Sequence, residues 1–302
     1  MTPGEPPDVG GEHEEEWNDV VRARFAPAAE HFAERARELA PQISERAARL
    51  LAPLRGDERA LDAGTGAGAL ALGLAPLVGE VVGCDIVPEL LAEARKLAAG
   101  LTNVSFNEGD IFALPFEDAS FDIVGTIRTL HHLDRPGQAL TELVRVTKPG
   151  GRLLIVDQLA PPDHRRAREM DRFERVRDSS HARTLSDREM RKLFEVNGLA
   201  LLRQEIVATE RDLEAFLDGA GCAGEERERA RRLAPGPTFT VELGWYALER
   251  APNSDMSSGL APSGLRGSWL SHYFHLTVQP TDSVSVTGGW SPASNASTAS
   301  RR

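Results

Sequence analysis

A glycine-rich segment is the first feature of the sequence with chemical meaning. It reads Leu-Asp-Ala-Gly-Thr-Gly-Ala-Gly over residues 61–68 and lies between a predicted strand and a predicted helix. Glycines let the backbone turn sharply and approach a ligand closely, and the start of the helix offers unpaired N–H groups. Asp85 follows at the end of the next predicted strand, where a carboxylate can accept hydrogen bonds from both hydroxyls of an adenosine ribose. The two features together predict a site for an adenosine-containing cofactor.

The spacing of the glycines bears on which cofactor this is. Pyrophosphate-binding turns carry a G-x-G-x-x-G pattern, whereas Gly64, Gly66 and Gly68 form G-x-G-x-G. The carboxylate of Asp62, just before the turn, would repel a pyrophosphate. It would be favourable near the ammonium group of a methionine moiety, directly or through water. The pattern therefore favours S-adenosylmethionine over NAD.

The elements that must position these residues alternate regularly between strand and helix. This alternation predicts an α/β fold with a doubly wound, mostly parallel sheet and right-handed crossovers. The predicted strands are 60–62, 80–84, 103–106, 121–126, 152–157, 200–208 and 238–248.

The ends of the chain differ in character from this central part. Residues 1–16 are acidic and rich in Pro and Gly, which predicts a disordered lead-in, and residues 17–54 have helical apolar spacing. We expect a globular domain over residues 55–251, and a flexible tail over 252–302, where Ser, Gly, Thr and Pro dominate.

Composition narrows the range of partners. The formal net charge of −11 argues against a broad nucleic-acid or anionic-membrane surface, and no apolar segment is long enough for a membrane span. The two cysteines, Cys84 and Cys222, provide no disulfide framework, which fits a cytoplasmic protein. No His, Cys and carboxylate group has metal-ligand spacing, so we expect no metal. The sequence does not distinguish a monomer from a homodimer.

Several stretches together resemble a known family. The chain resembles the class I S-adenosylmethionine-dependent methyltransferases, in particular the small-molecule group that includes the ubiquinone/menaquinone biosynthesis methyltransferases. The resemblance covers roughly residues 20–250 and implies a Rossmann-like sheet of seven strands, whose last two form an antiparallel hairpin, with an N-terminal helical cap. The matching stretches are LDAGTGAG (61–68), VVGCDIVPELLAEAR (81–95), EGDIFALPFEDASFDIV (108–124), LHHLDRP (130–136) and RVTKPGGRLLIVD (145–157).

The resemblance also implies roles for residues of the glycine-rich segment. Gly64, Thr65 and Gly66 would wrap the methionyl part of the cofactor, with Asp62 beside it.

Further roles fall at the ends of the following strands. Asp85 would bind the ribose hydroxyls, and Ile86 would pack on the adenine. Asp110 would accept a hydrogen bond from the adenine amino group, and Ile111 would offer its backbone N–H to the ring. Arg128 would lie by the methionyl group and the substrate entrance.

Four further residues are open to two interpretations. His131 and His132, beyond the fourth strand, are candidates for a general base, which is needed only if the acceptor loses a proton; a structural role is the alternative. Phe25 and Phe32 lie on one helical face and belong either to the core or to the site.

The function predicted from the sequence is methyl transfer from S-adenosylmethionine to a small organic acceptor by in-line displacement, without a covalent protein intermediate. Thr126 to Thr129 lack the Asn/Asp-Pro-Pro-aromatic motif that is common for base and amide substrates. Two alternatives remain at this point. One is a protein that binds the cofactor without turnover, and the other is an NAD-linked oxidoreductase.

Overall fold

The computed structural model describes the backbone of residues 9–252 and the side chains from residue 16 onward. Seven strands form one sheet: β1 (Arg59–Ala63), β2 (Glu80–Asp85), β3 (Val104–Glu108), β4 (Phe121–Ile127), β5 (Thr147–Leu159), β6 (Leu199–Asp212) and β7 (Thr238–Arg250). The helices are α1 (Val9–Phe25), α2 (Ala29–Leu50), α3 (Ala69–Leu74), α4 (Pro88–Leu97), α5 (Pro136–Val146), α6 (His164–Arg177), α7 (Asp187–Val196), α8 (Leu213–Gly219) and α9 (Gly224–Leu233). None of these helices is long and apolar enough to cross a bilayer.

The strand order confirms the predicted doubly wound sheet. It runs β3-β2-β1-β4-β5-β7-β6, with the first five strands parallel and β7 antiparallel to both of its neighbours. The predicted antiparallel hairpin of β6 and β7 is therefore also present. Because β1 lies between β2 and β4, the chain reverses its winding direction at β1. Ligands of open α/β sheets bind at such a reversal, outside the carboxyl ends of the strands.

The central strands of the sheet are buried on both faces, because helices cover each of them, whereas the edge strand β6 is largely exposed. In β5 the run Leu153 to Val156 is fully buried, as expected for a strand inside a sheet that is covered on both faces. Successive residues of β5 point to opposite faces of the sheet and pack into two different apolar clusters. Leu153 and Ile155 pack on the side of α5 and α7, whereas Leu154 and Val156 pack on the side of α2 and α3.

The N-terminal region differs from the boundaries that we expected. Helix α1 begins at Val9, inside the predicted disordered lead-in of residues 1–16, because the glutamate-rich segment has high helix propensity. The predicted cap over residues 17–54 is also not separate from the domain. The second half of α2, with Ile43 and Ala47, is buried in the same core as α3 and the sheet. The predicted tail lies outside the described residues except for its first residue, position 252.

Candidate active site

A cavity of about 420 Å³ lies at the carboxyl ends of β1, β2 and β4. Its walls come from the glycine-rich loop, from α1 and α2, from the segments after β2, β3 and β4, and from β6 and α8. This volume is within the usual range for small-molecule sites. The cavity therefore contains the crevice where the sheet topology places a ligand.

Hydrogen bonds fix the glycine-rich loop against β2. The backbone N–H groups of Gly64 and Thr65 both donate to the carbonyl of Cys84, at 2.8 and 3.0 Å. Gly66 has φ +54°, and a Cβ added there would meet nothing within 4 Å. Gly64 has φ +69° and lies so close to the side chain of Thr129 that a Cβ would clash at 2.6 Å. The loop therefore presents bare backbone to the cavity.

Asp62 has a different position from the one that we expected. Its carboxylate is fully buried and does not line the cavity. One oxygen accepts hydrogen bonds from the Thr65 hydroxyl at 2.6 Å and from the Ala71 N–H at 2.9 Å. Burial raises the pKa of Asp62 to about 7. The carboxylate therefore holds the loop to the start of α3. The sequence predicts Asp62 beside the methionyl part of the ligand, directly or through water, whereas this residue is not among the described residues that line the cavity.

Asp85 and Ile86 line the cavity at the end of β2, as the sequence predicted for the ribose end of the site. The Asp85 carboxylate accepts hydrogen bonds from the N–H groups of Gly66 at 2.8 Å and Val87 at 3.0 Å. A carboxylate has about four acceptor positions, so two remain for a ligand. Burial raises the pKa of Asp85, although these backbone hydrogen bonds oppose the effect.

Asp110 and Ile111 also line the cavity, after β3. One oxygen of Asp110 accepts a hydrogen bond from the N–H of Phe112 at 2.8 Å, and the other accepts one from the Asn18 side-chain amide at 2.7 Å. The second contact ties helix α1 to the site. Asn18 was absent from the sequence prediction, because nothing local in the sequence indicates a partner so far along the chain.

Arg128 follows β4 in an uncommon backbone conformation. Its φ is +57°, and its N–H donates to Val156 at 2.7 Å. The side chain lines the cavity. Burial, with the nearby charges of Arg35 and Arg211, lowers the pKa of Arg128 to about 10.

His131 is held by a buried aspartate that the sequence prediction missed. Its Nδ1 lies 2.5 Å from Asp157, and its backbone N–H donates to the second oxygen of the same carboxylate at 3.1 Å. Burial would raise the pKa of Asp157, but His131 holds it below its ordinary value. An ionised carboxylate needs a donor, so Nδ1 carries a proton, and Nε2 is an acceptor whenever the ring is neutral.

His132 has a similar tautomer but a different environment. Its Nδ1 lies 3.0 Å from the Ser180 hydroxyl and 3.1 Å from the Ser180 carbonyl, and a carbonyl partner requires a proton on Nδ1. Burial and the neighbouring His131 lower the pKa of His132, so the ring is neutral at pH 7. Both histidines line the cavity.

Helix α1 crosses this region and completes its wall. The indole of Trp17 donates to the His132 carbonyl at 2.8 Å, and Arg24 forms an ion pair with Asp178 at 3.3 Å. Phe25 and Phe32 line the cavity with ring centroids 5.3 Å apart, and both also pack against the apolar cluster that contains Val87. The Arg24 guanidinium lies 5.1 Å from the Phe25 ring and 5.9 Å from the Phe32 ring.

The residues present fit S-adenosylmethionine. The open space at Gly66 would admit a ligand against the backbone, and Asp85 retains acceptor positions where hydroxyl groups would bind. Ile86 offers an apolar surface beside Asp85. The unpartnered oxygen of the buried Asp62 adds no contact here, because that side chain does not reach the cavity.

Comparisons with known proteins agree with this interpretation. A family model described as a methyltransferase domain matches residues 61–155. The chain is 36% identical to a demethylmenaquinone methyltransferase of Deinococcus radiodurans, over 54% of this chain and 68% of that protein. It is 39% identical to the uncharacterized methyltransferase YcgJ of Bacillus subtilis, over 49% of this chain and 60% of that protein, which is less than two thirds of its length.

Solved structures give the same result for the fold. The crystal structure of YcgJ aligns with a TM-score of 0.65 and 26% identity, covering 71% of this chain and 99% of that chain. A putative methyltransferase from Bacillus halodurans aligns with a TM-score of 0.63 and 27% identity, covering 68% of this chain and 99% of the other. The chain belongs to the family of S-adenosylmethionine-dependent methyltransferases.

Proposed function

We propose that this protein transfers a methyl group from S-adenosylmethionine to a small organic acceptor. The observation that carries the proposal is a single cavity whose lining includes the groups that we assign to the cofactor and to the acceptor. The Asp85 carboxylate and the bare backbone at Gly66 line it, and so do the imidazoles of His131 and His132.

Several residues of the chain would hold the cofactor. Asp85 would accept from its ribose hydroxyls, Ile86 would pack against its adenine, and Asp110 with Ile111 would contact the adenine edge. Gly64, Thr65 and Gly66 would line its methionyl part. When bound, S-adenosylmethionine supplies an electrophilic methyl group on a sulfonium. The task of the protein is then mainly to align the acceptor and exclude water.

His131 is the stronger candidate for a general base, for acceptors that lose a proton. Asp157 fixes its ring and tautomer so that the free Nε2 can take a proton, which is the arrangement of a base oriented by a third group. His132 lines the same cavity, but its lowered pKa makes it a weaker base.

Two alternative functions follow from the same fold. Family membership argues against an NAD-linked oxidoreductase. A protein that binds the cofactor without turnover would have the same cavity, because in-line transfer requires no distinctive catalytic side chain. The paired His131 and Asp157 favour turnover, since a binding protein has no need of an oriented base.

The acceptor that we propose is a small molecule and not a nucleic acid. The net charge of −11 opposes polyanion binding, and α1 crosses the region of the cavity where the histidines lie. Both cysteines are free and buried, which supports a cytoplasmic location.

A labelling experiment tests the proposal. The protein is incubated with S-adenosylmethionine labelled in its methyl group and a metabolite extract, and labelled products are identified by mass spectrometry. We expect label in at least one small molecule with the native protein, and about tenfold less or lower still with Asp85→Ala when the cofactor concentration is below saturation. Calorimetric binding of S-adenosylhomocysteine without label transfer would support the non-catalytic alternative, and saturable NAD binding would contradict the cofactor assignment.

A further inference from the structure

We propose that Arg35, Arg128 and Arg211 form an anion site that binds a carboxylate or phosphate group of the methyl acceptor. This inference rests on the proposed function and specifies its substrate class. The three residues, here called the arginine cluster, come from α2, from the residue after β4 and from β6, and all three line the cavity.

No acid in the described part of the chain forms an ion pair with the arginine cluster. The charge of Asp157 raises the pKa of Arg128, but that carboxylate is already bonded to His131. Within the described part of the chain, none of the three guanidinium groups forms an ion pair or a side-chain hydrogen bond. The Nε of Arg211 is buried without any partner. Burial and the charge of Arg35 lower the pKa of Arg211, just as Arg35 and Arg211 contribute to the lowered pKa of Arg128. Holding three half-buried positive charges together without a negative partner costs free energy of folding. We infer that an anion from outside the chain binds between them and offsets this cost.

The other arginines of the cavity are already paired. Arg24 contacts Asp178 at 3.3 Å, and Arg177 contacts Glu174 at 2.7 Å. Two of the five arginines that line the cavity therefore have an acidic partner, and the other three are the arginine cluster.

The acids of the cavity do not neutralise the cluster either. Asp212 accepts a hydrogen bond from the N–H of Ala215 at 2.9 Å, where it caps α8. Glu210 and Asp212 are exposed, whereas Arg211 is half-buried between them in sequence. All three residues line the cavity, but the two acids are exposed, so water screens their carboxylates and they compensate the half-buried charge of Arg211 only weakly.

The position of the cluster separates it from the ribose end of the site. In the sheet order, β6 is five strands from β2, which carries Asp85. At roughly 4.8 Å per strand, this places the Arg211 backbone on the order of 20 Å from that of Asp85. Arg128, after β4, lies between the two ends. The acceptor side of the cavity is therefore the side with Arg35 and Arg211.

The surroundings of the cluster indicate the rest of the acceptor. Leu39 and Ile43 of α2 and Phe216 of α8 line the cavity with the arginines. An apolar wall beside unpaired guanidinium groups fits an organic anion with an apolar body and one charged end.

The test uses isothermal titration of S-adenosylhomocysteine-loaded protein with four probes that share one alkyl chain: octanoate, octyl phosphate, octanol and octylamine. We expect at least one of the anions to bind more tightly than octanol and octylamine. Arg35→Gln and Arg211→Gln should each lower the affinity for that anion by about tenfold or more. Arg35→Lys should bind the anion more tightly than Arg35→Gln does, because lysine keeps the charge. Arg37→Gln, an exposed neighbour on α2 that does not line the cavity, should change nothing.

A second arm distinguishes the acceptor from the cofactor, because the methionyl part of the cofactor also carries a carboxylate. S-adenosylhomocysteine has this group and 5′-methylthioadenosine lacks it. We expect Arg35→Gln and Arg211→Gln to leave the affinities for both compounds within about twofold of the native values. Selective loss of S-adenosylhomocysteine binding would assign the cluster to the cofactor and overturn the proposal.

The remaining outcomes are also decisive. If neither anion binds more tightly than octanol and octylamine, or if both glutamine variants retain the native anion affinity, the anion site is wrong while the proposed function stands. If S-adenosylhomocysteine does not bind the native protein, the proposed function itself fails. Thermal melting checks folding, and the glutamine variants should melt no lower than the native protein because each removes one repelling charge.

Discussion

The side-chain amide of Asn18 donates a hydrogen bond of 2.7 Å to the carboxylate of Asp110, joining residues 92 positions apart. Arg22 in the same helix donates to the carbonyl of Ile86 at 3.2 Å. Helix α1 is thus attached through polar contacts to the segments after β2 and β3.

Val21 and Phe25 of α1 also pack against the apolar cluster that contains Val87 and Leu90. Because polar contacts can break and form again more easily than buried apolar packing, we propose that the first turns of α1 open as a lid.

We expect hydrogen exchange to show this opening. Backbone amides of residues 17–25 should exchange quickly in the protein alone and more slowly after addition of S-adenosylhomocysteine, as measured by mass spectrometry. Asn18→Ala should speed exchange in α1 without affecting α5, which serves as the internal control. Amides in α1 that are equally protected with and without the compound would identify α1 as a fixed structural helix.

Asp85→Ala should weaken S-adenosylhomocysteine binding much more than it changes stability. The loss of each charge-assisted hydrogen bond costs about 1.5–3 kcal/mol, which is tenfold or more in affinity. Calorimetry measures the affinity, and Asp57→Ala, at a largely exposed position, is the matched control. Equal affinities of the two variants would refute the assigned role of Asp85.

Asp62→Asn should change how stability depends on pH. The pKa of Asp62 is about 7 in the folded protein, against about 3.9 in an unfolded chain. Between these values the folded state binds more protons than the unfolded state, so the ionisation of Asp62 lowers the free energy of unfolding as pH rises from about 4 to about 7. The loss is on the order of 4 kcal/mol and should disappear in Asp62→Asn.

Denaturant unfolding at several pH values measures this effect. The asparagine oxygen can still accept from Thr65 and Ala71, because the other Asp62 oxygen has no partner in the described structure. The native protein should lose stability relative to the variant across this pH range, whereas Asp118→Asn, at an exposed position, should follow the native protein. Parallel curves for the native protein and Asp62→Asn would show that Asp62 does not titrate in this window.

His131→Gln should lower the turnover rate by about a hundredfold or more for an acceptor that loses a proton, because glutamine keeps a donor for Asp157 but has no basic nitrogen. The affinity for S-adenosylhomocysteine should be unchanged. His132→Gln should have a smaller effect, since the lowered pKa of His132 makes it a poor base. Initial rates with the acceptor identified by labelling measure both variants, and a larger loss in His132→Gln would reverse the assignment.

The sequence was sufficient for the features that depend on local pattern. The strand and helix periodicity predicted the sheet, and the glycine spacing with Asp85 located the crevice, because both signals lie within short segments. The position of Asp62 was not predictable in the same way. Its partner Ala71 belongs to α3, and the bond depends on how that helix packs against β1.

The pairing of His131 with Asp157 shows the same limit. The sequence shows an acid after an apolar strand and a histidine 26 residues earlier, but their contact depends on the register between β4 and β5. The arginine cluster likewise draws on α2, on the end of β4 and on β6, which only the folded sheet brings to one cavity. Contacts between distant segments carry most of the site's chemistry.

The left-handed backbone at Arg128 lowers the stability of the fold, whereas the side chain at the same position belongs to the proposed anion site. Glycine adopts such a φ without penalty, whereas a residue with a Cβ costs about 1–2 kcal/mol there. A search for more thermostable variants should therefore select Arg128→Gly, which would relieve the backbone and remove a half-buried charge at once. The same variant should lose affinity for its anion, so stabilising this chain by selection on melting temperature alone would eliminate substrate recognition.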